Sequence, residues 1–215
     1  LNSFFQLIKS EHNLELILIG DGSLRNYIKS FKIKNKLNDK ILQKGWLDSS
    51  KIKYYLAKAD IFVLPSWQEG MPNALIEALA SGLPSITTSV GVIPDFLKNN
   101  ISGLIIESKN SNILKKSIEK LINDNNLRKK LSKNGILVAA VISFIFSWNE
   151  FTYASILVNG TKAVTFPTSI SSFLFQHPHP QHLSASLFLG MIPPFIVAVF
   201  LQRYISEMNI VDPLR

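Results

Sequence analysis

The chain has 215 residues, which is enough for one large domain or two smaller ones. It contains no cysteine, so disulfides and thiolate chemistry are excluded. The net charge of +8 lies entirely in residues 1–135, which carry 20 basic and 12 acidic residues, whereas residues 136–215 carry 3 of each. This excess suits an anionic ligand, either a nucleotide or an acidic lipid surface. A solvated, lysine-rich exterior is the commoner cause of such a pattern.

Short apolar runs alternate with helical patterns through residues 1–134, which predicts βαβ units and a parallel sheet covered on both faces. The chain opens on what looks like the end of an amphipathic helix. Strands are predicted at Leu16–Ile19, Ile41–Gln43, Ile61–Leu64, Ser85–Thr87 and Leu104–Ile106, and helices near 23–33, 49–58, 73–81 and 110–122. Pro72 suits the first turn of a helix, and Gly82 with Pro84 suits its end. The fold class is therefore α/β, with a Rossmann-like doubly wound sheet followed by a two-helix segment.

Two apolar segments, 136–158 and 183–204, make up most of the remaining chain. The first reaches roughly 34 Å as a helix, enough for a hydrocarbon core of about 30 Å. Pro193–Pro194 would kink the second, and Glu150 should lie near an interface or face protein. Lysines precede the first span and Arg203 follows the second, so both ends are expected in the cytoplasm. Two buried helices of a soluble domain are the alternative.

The stretch "LPSWQEGMPNALIEALASGLP" places a strand end, a glycine loop and a helix start in succession. At the carboxyl end of a parallel strand, a helix N-terminus offers free N–H groups to a phosphate. Glu69 precedes this helix and Glu77 lies about one turn inside it, on roughly the same side. The two carboxylates would take sugar hydroxyls while the amides take phosphate. Alternatively, Glu77 is a surface glutamate stabilised by the helix dipole, and Gly70 and Pro72 are turn and cap residues.

Residues 1–134 resemble the C-terminal, donor-binding domain of GT-B retaining glycosyltransferases. The resemblance rests on "LILIGDGSLR", "ADIFVLPSWQEGMPNALIEALASGLPSITTSVGVIPDFL" and "SGLIIESKN", which occur in the expected order. It implies that Glu69 is catalytic and addresses the transferred sugar, and that Glu77 holds the ribose. It further implies donor binding by Gly70, Met71, Pro72, Asn73, Ala74, Gly20 and Trp46. The substrate would be a nucleoside diphosphate sugar, with no cofactor, no metal and no nucleic acid partner.

Two of these residues have simpler interpretations. Gly20 lies in "GDGS", which lacks the full G-x-G-x-x-G spacing and is first of all a strand-to-helix turn. Trp46 suits a base pocket by resemblance, but tryptophan at such a position more often belongs to the core. The strand with the diphosphate-clamping Arg and Lys, and the acceptor domain, would precede Leu1 in this family. The resemblance therefore implies weak donor binding without sugar transfer by this chain alone.

Residues 136–215 resemble the C-terminal end of sugar ABC importer permeases, in "FIFSWNEF", "TFPTSISSFL" and "LSASLFLGMIPPFIVAVFLQRYI". This implies a multi-pass protein of the inner membrane that needs an ATPase subunit and a partner permease, with residues 1–134 cytoplasmic. The domains are then 1–134 and 135–215, joined near Asn134 to Ile136 at a junction with few contacts. The alternative function is sugar import, with the glycosyltransferase part incidental. The histidines of "HPHPQH", 177–182, suggest a metal site or, more simply, an external loop.

Overall fold

The computed structural model describes residues 1–10, 13–148 and the isolated helical positions Phe188, Ile192, Phe195, Ile196 and Val199. The chain divides into two compact units, Leu1–Ala139 and Ala140–Arg215. Apart from those isolated positions, the predicted second span, 183–204, lies outside the described residues, and so does the histidine-rich stretch 177–182.

Helices and strands alternate along the first unit, as the sequence predicts. The strands are β1 (Leu16–Ile19), β2 (Ile41–Gly45), β3 (Phe62–Leu64), β4 (Ser85–Thr88) and β5 (Leu104–Ile106). The helices are α1 (Asn2–Lys9), α2 (Arg25–Lys34), α3 (Ser49–Lys58), α4 (Asn73–Ala80), α5 (Ile93–Phe96), α6 (Ser111–Asn123) and α7 (Asn125–Trp148). Every predicted strand is confirmed within two residues, and α5 is the short helix that the sequence did not predict.

The strands form two parallel sheets, one of β1 and β2 and one in the order β3-β4-β5. In the second sheet Phe62 lies opposite Ser85, and Ile86 lies opposite Leu104. Parallel strands present their carboxyl ends at one edge, so the segments that follow β3, β4 and β5 meet there. The predicted Rossmann-like α/β architecture is confirmed, and this edge is where such folds bind ligands.

The core of the three-stranded sheet lies between its central strand and the last helices of the first unit. Ile86 of β4 packs in one cluster with Leu104, Leu121 and Leu131. All four residues of β4 are buried, including its polar side chains, because a central parallel strand is covered on both faces. The strand ends are thereby held in fixed positions beneath the loops.

Helix α7 runs without interruption through the expected junction at residues 134–136. We expected few contacts there, but the Asn134 side-chain amide donates to the Ile101 carbonyl (2.8 Å). Gly135 is packed so closely that a Cβ would lie 2.8 Å from Leu79 Cδ2. Val138 and Ala139 are also buried. The helix therefore belongs to the first unit as far as Ala139, beyond the predicted domain end at 134.

Among the described residues, Asn125–Ser147 is the one helix long and apolar enough to cross a membrane. Core helices of soluble proteins pass the same test, and one face of α7 as far as Ala139 is buried in the first unit, with Leu131, Val138 and Ala139 among its buried residues. The membrane span predicted over 136–158 stays a prediction, because residues 149–158 lie outside the described residues.

Candidate functional site

The loop after β3 is attached to the end of β4 by side-chain hydrogen bonds. The Thr88 hydroxyl donates to the Ser66 carbonyl (2.5 Å), and the Thr87 hydroxyl donates to the Leu64 carbonyl (3.3 Å). Both threonines are buried, so these bonds are shielded from competing water. The loop thus leaves the sheet edge in a defined direction.

Glu69 is half-buried within this loop, and its carboxylate is partly engaged. The Ser66 hydroxyl donates to Glu69 Oε1 (2.6 Å). Behind it, Gly91 has a left-handed φ of +56°, and a Cβ there would lie 2.1 Å from the Glu69 carbonyl oxygen and 3.1 Å from the Gly70 carbonyl oxygen. Only glycine permits such an approach. Oε1 is held in place, and Oε2 takes no hydrogen bond from the described residues.

Helix α4 begins directly after this loop with its first amides unused. Its N-cap, Pro72, provides no side-chain cap, and the Pro72 carbonyl accepts from the amides of Leu75 and Ile76. The amides of Gly70, Met71, Asn73 and Ala74 make no hydrogen bond to the described residues. Pro72 itself has no amide hydrogen and contributes only shape. Four N–H groups at the positive end of a helix dipole suit an anion such as phosphate.

Glu77 lies on the exposed face of α4, whose buried face is formed by Leu75, Ala78 and Leu79. Its carboxylate makes no ion pair or hydrogen bond with the described residues. Glu69 precedes the first residue of α4, so helical geometry alone does not relate the two glutamates. The position of Glu69 is set instead by the loop and by Gly91.

Gly20 and Trp46 lie at the carboxyl edge of the other sheet, after β1 and β2. Gly20 has a φ of +112°, and its amide donates to the Gly45 carbonyl (2.8 Å). Beside them is a polar hollow of about 100 Å³, lined by Asp21, Arg25, Gln43, Lys44 and Gly45. Trp46 is 82% exposed, so its interpretation as a core residue is wrong. The structure brings Glu69 together with residues 70–74, and it places Gly20 and Trp46 on a separate sheet.

Three residues of this site were missed in the sequence. Ser66 orients Glu69, Thr88 anchors the loop, and Gly91 allows the close approach of the next loop. The signal for Thr88 and Gly91 is the stretch "TTSVG", residues 87–91, in which two threonines end a buried strand and a glycine follows in the next loop. This stretch can be assigned to the site only once β4 is known to lie beside β3.

The comparisons with known proteins cover the same part of the chain. A family model described as "Glycosyl transferases group 1" matches residues 1–138. The chain belongs to this family. An uncharacterised glycosyltransferase of Methanocaldococcus jannaschii is 35% identical over 133 residues, which cover 62% of this chain and 36% of that protein.

One further curated relative and one solved structure are similar to the same part of the chain. An Escherichia coli UDP-Gal:alpha-D-GlcNAc-diphosphoundecaprenol alpha-1,3-galactosyltransferase is 32% identical over 124 residues, covering 56% of this chain and 32% of that one. The crystal structure of the C-terminal domain of a group 1 protein from Francisella tularensis has a TM-score of 0.59 and 25% identity, covering 65% of this chain and 74% of that domain. The chain thus spans about a third of the length of its curated relatives and matches a C-terminal domain.

Proposed function

We propose that residues 1–138 form the nucleotide-sugar-binding half of a retaining GT-B glycosyltransferase. The observation that carries the proposal is the start of α4. Unbonded amides follow Glu69 at the carboxyl edge of a parallel sheet, in a domain of the glycosyl transferases group 1 family. The E. coli relative, whose name specifies UDP-Gal, supports a nucleoside diphosphate sugar as the ligand class.

Each group then has a distinct partner. The amides of Gly70, Met71, Asn73 and Ala74 bind the diphosphate, because they combine unsatisfied donors with the positive end of α4. Glu69 accepts from a hydroxyl of the transferred sugar through Oε2, since Oε1 is occupied by Ser66. Glu77 accepts from the ribose hydroxyls. Gly20 and Trp46 lie at the neighbouring sheet edge, where we place part of the diphosphate and the base.

Sugar transfer from a nucleoside diphosphate depends on charge stabilisation and positioning more than on a side-chain nucleophile. Departure of a nucleoside diphosphate requires stabilisation of the charge that develops on the phosphates, and fixed N–H donors supply it without reorganising. Glu69 contributes by orienting the sugar toward an acceptor hydroxyl, an effect that depends on geometry. We propose no metal and no cofactor. Transfer itself additionally needs a bound acceptor.

Isothermal titration calorimetry of the full chain with UDP and UDP-glucose tests this assignment. In Glu77→Ala, loss of the hydrogen bonds that the ribose hydroxyls donate to the Glu77 carboxylate should weaken UDP binding by about 1–3 kcal/mol. That change equals roughly a 5- to 150-fold rise in Kd. The matched control is Glu15→Ala, because Glu15 is also exposed but precedes β1, at the opposite, amino end of a strand. Equal UDP affinity in both variants would remove the ribose role.

We also propose, from the sequence motifs alone, that the part of the predicted segment after Ala139 forms a permease-like membrane hairpin, with the first unit in the cytoplasm. The absence of native cysteine allows a clean topology test. A cysteine placed at Lys162 should react with an impermeant maleimide added to intact cells, whereas one at Lys133 should react only after lysis. The reverse labelling pattern, or equal protection of both, would contradict the topology.

A further inference from the structure

Trp67 is a large aromatic side chain that the arrangement above leaves unused. It lies two residues before Glu69, in the loop that follows β3, and 71% of its surface is exposed. Burying an indole is strongly favourable, so an exposed one on an anchored loop is available to a ligand. The loop itself is held to β4 through Ser66 and Thr88, which limits how far the ring can move.

Lys109 supports this ring from the segment that follows β5. Its Nζ lies 4.8 Å from the centroid of the Trp67 ring, within the range of a cation–π contact. Lys109 has a left-handed φ of 63° and sits between the end of β5 and Asn110, whose Oδ1 accepts from the Ile113 amide to cap α6 (3.1 Å). Both flanking elements are therefore fixed. The lysine covers one ring face, and the exposure of Trp67 leaves the other available.

We propose that Trp67 is a platform for the transferred sugar and that Lys109 is the residue that positions it. The inference rests on the proposed function and adds a specificity element to that site. The C–H groups on one side of a pyranose ring are apolar and slightly positive, and they pack against the negative face of an indole. Glu69, two residues away, offers Oε2 to a hydroxyl at the edge of the same ring. An exposed indole face and a carboxylate two residues apart in the same loop suit a sugar ring. In the arrangement proposed above, the ribose lies at Glu77 and the base near Trp46, so UDP alone leaves Trp67 without a ligand.

This assignment makes a prediction that separates sugar from nucleotide. Trp67→Ala should raise the Kd for UDP-glucose about 3- to 10-fold, the scale of an aromatic contact, while the Kd for UDP stays within about 2-fold. Trp67→Phe, which keeps an aromatic face, should retain most of the affinity. Tyr27→Ala is the control, because Tyr27 is a similarly exposed aromatic (56%) on α2, away from this loop.

The role of Lys109 is tested by comparing the Kd for UDP-glucose with the Kd for UDP, because a general loss of structure would change both. Lys109→Gln should weaken UDP-glucose several-fold and leave UDP unchanged, because the indole loses its support. Lys109→Arg should restore UDP-glucose affinity, since a guanidinium also stacks on an aromatic face. Circular dichroism melts of all variants establish that each is folded.

The outcomes distinguish this inference from the function on which it rests. If the parent chain binds neither UDP nor UDP-glucose, the donor site and the platform both fail. If the parent binds both ligands and the Trp67 and Lys109 variants bind them equally well, the platform alone is wrong. If Trp67→Ala weakens UDP and UDP-glucose by the same factor, the ring serves the nucleotide or the loop, and the platform is again overturned.

Discussion

Replacing Gly91 by alanine should displace the backbone of the loop that carries Glu69, because Gly91 packs directly against that backbone. A left-handed conformation costs a residue with a Cβ roughly 1–2 kcal/mol. At Gly91 the added Cβ would also lie 2.1 Å from the Glu69 carbonyl oxygen and 3.1 Å from that of Gly70. Both obstacles are backbone atoms, so the loop has to move. We therefore expect a loss of unfolding free energy above about 2 kcal/mol.

Alanine substitutions at two other glycines separate the cost of the left-handed conformation from the cost of the steric clash. Gly45→Ala has the same conformational cost, since its φ is +67°, but its Cβ would meet nothing within 4 Å. We expect it to lose about 1–2 kcal/mol. Gly22→Ala has open space and no left-handed φ, so it should be close to neutral. Urea unfolding gives the free energies, and calorimetry with UDP-glucose should show weakened binding for Gly91→Ala. A Gly91→Ala protein no less stable than Gly45→Ala, with unchanged binding, would refute the close approach.

Three further predictions concern stability. Leu131→Ala should reduce the free energy of unfolding in urea by about 2–5 kcal/mol, because the side chain is fully buried. Thr88→Val should cost about 1–3 kcal/mol in the same assay, since it leaves the Ser66 carbonyl without its donor. The Ser50 hydroxyl first, and then the α3 amide and ammonium of Lys51, hold the pKa of Asp48 well below its ordinary value of 3.8. The stabilisation is thus present above that value and lost as pH falls toward the depressed pKa. Asp48→Ala should lower the Tm at pH 7, and this difference from the parent should shrink in acid.

Each of these three predictions has a control variant or a result that would contradict it. For Leu131, the control Ile33→Ala removes an exposed side chain (59%) and should change little, so equal losses would contradict the core assignment. For Thr88, Thr88→Ser keeps the hydroxyl and should be the milder change. For Asp48, Asp48→Asn keeps a capping oxygen without the charge. A difference in Tm that stays constant down to pH 2 would show that the charge is irrelevant.

The sequence predicts most of the fold because the strands are short apolar runs with clear ends. Pro72 and Gly82 predict the ends of the helix at 73–81, and the structure has it at Asn73–Ala80. A change in composition predicts a junction near residue 135, but a helix continues wherever its backbone bonds and packing allow. Gly135 and Ala139 are small enough to pack closely, and α7 continues through them.

For the site, the order of Glu69, the glycine loop and α4 is local and could be predicted. The partners of this loop could not, because they come from later strands. Thr88 anchors Ser66 only because β4 lies beside β3, and Lys109 reaches Trp67 from the segment after β5. Strand order is a property of the whole sheet and is not encoded in any one stretch.

A crystal structure of the full chain with UDP-glucose tests the central claim most directly. We expect diphosphate oxygens within hydrogen-bonding distance of the amides of Gly70, Met71, Asn73 or Ala74, with the ribose against Glu77. A nucleotide bound elsewhere in the first unit, such as in the cleft of about 290 Å³ lined by Ser81, Arg128 and Ser132 among others, would contradict it.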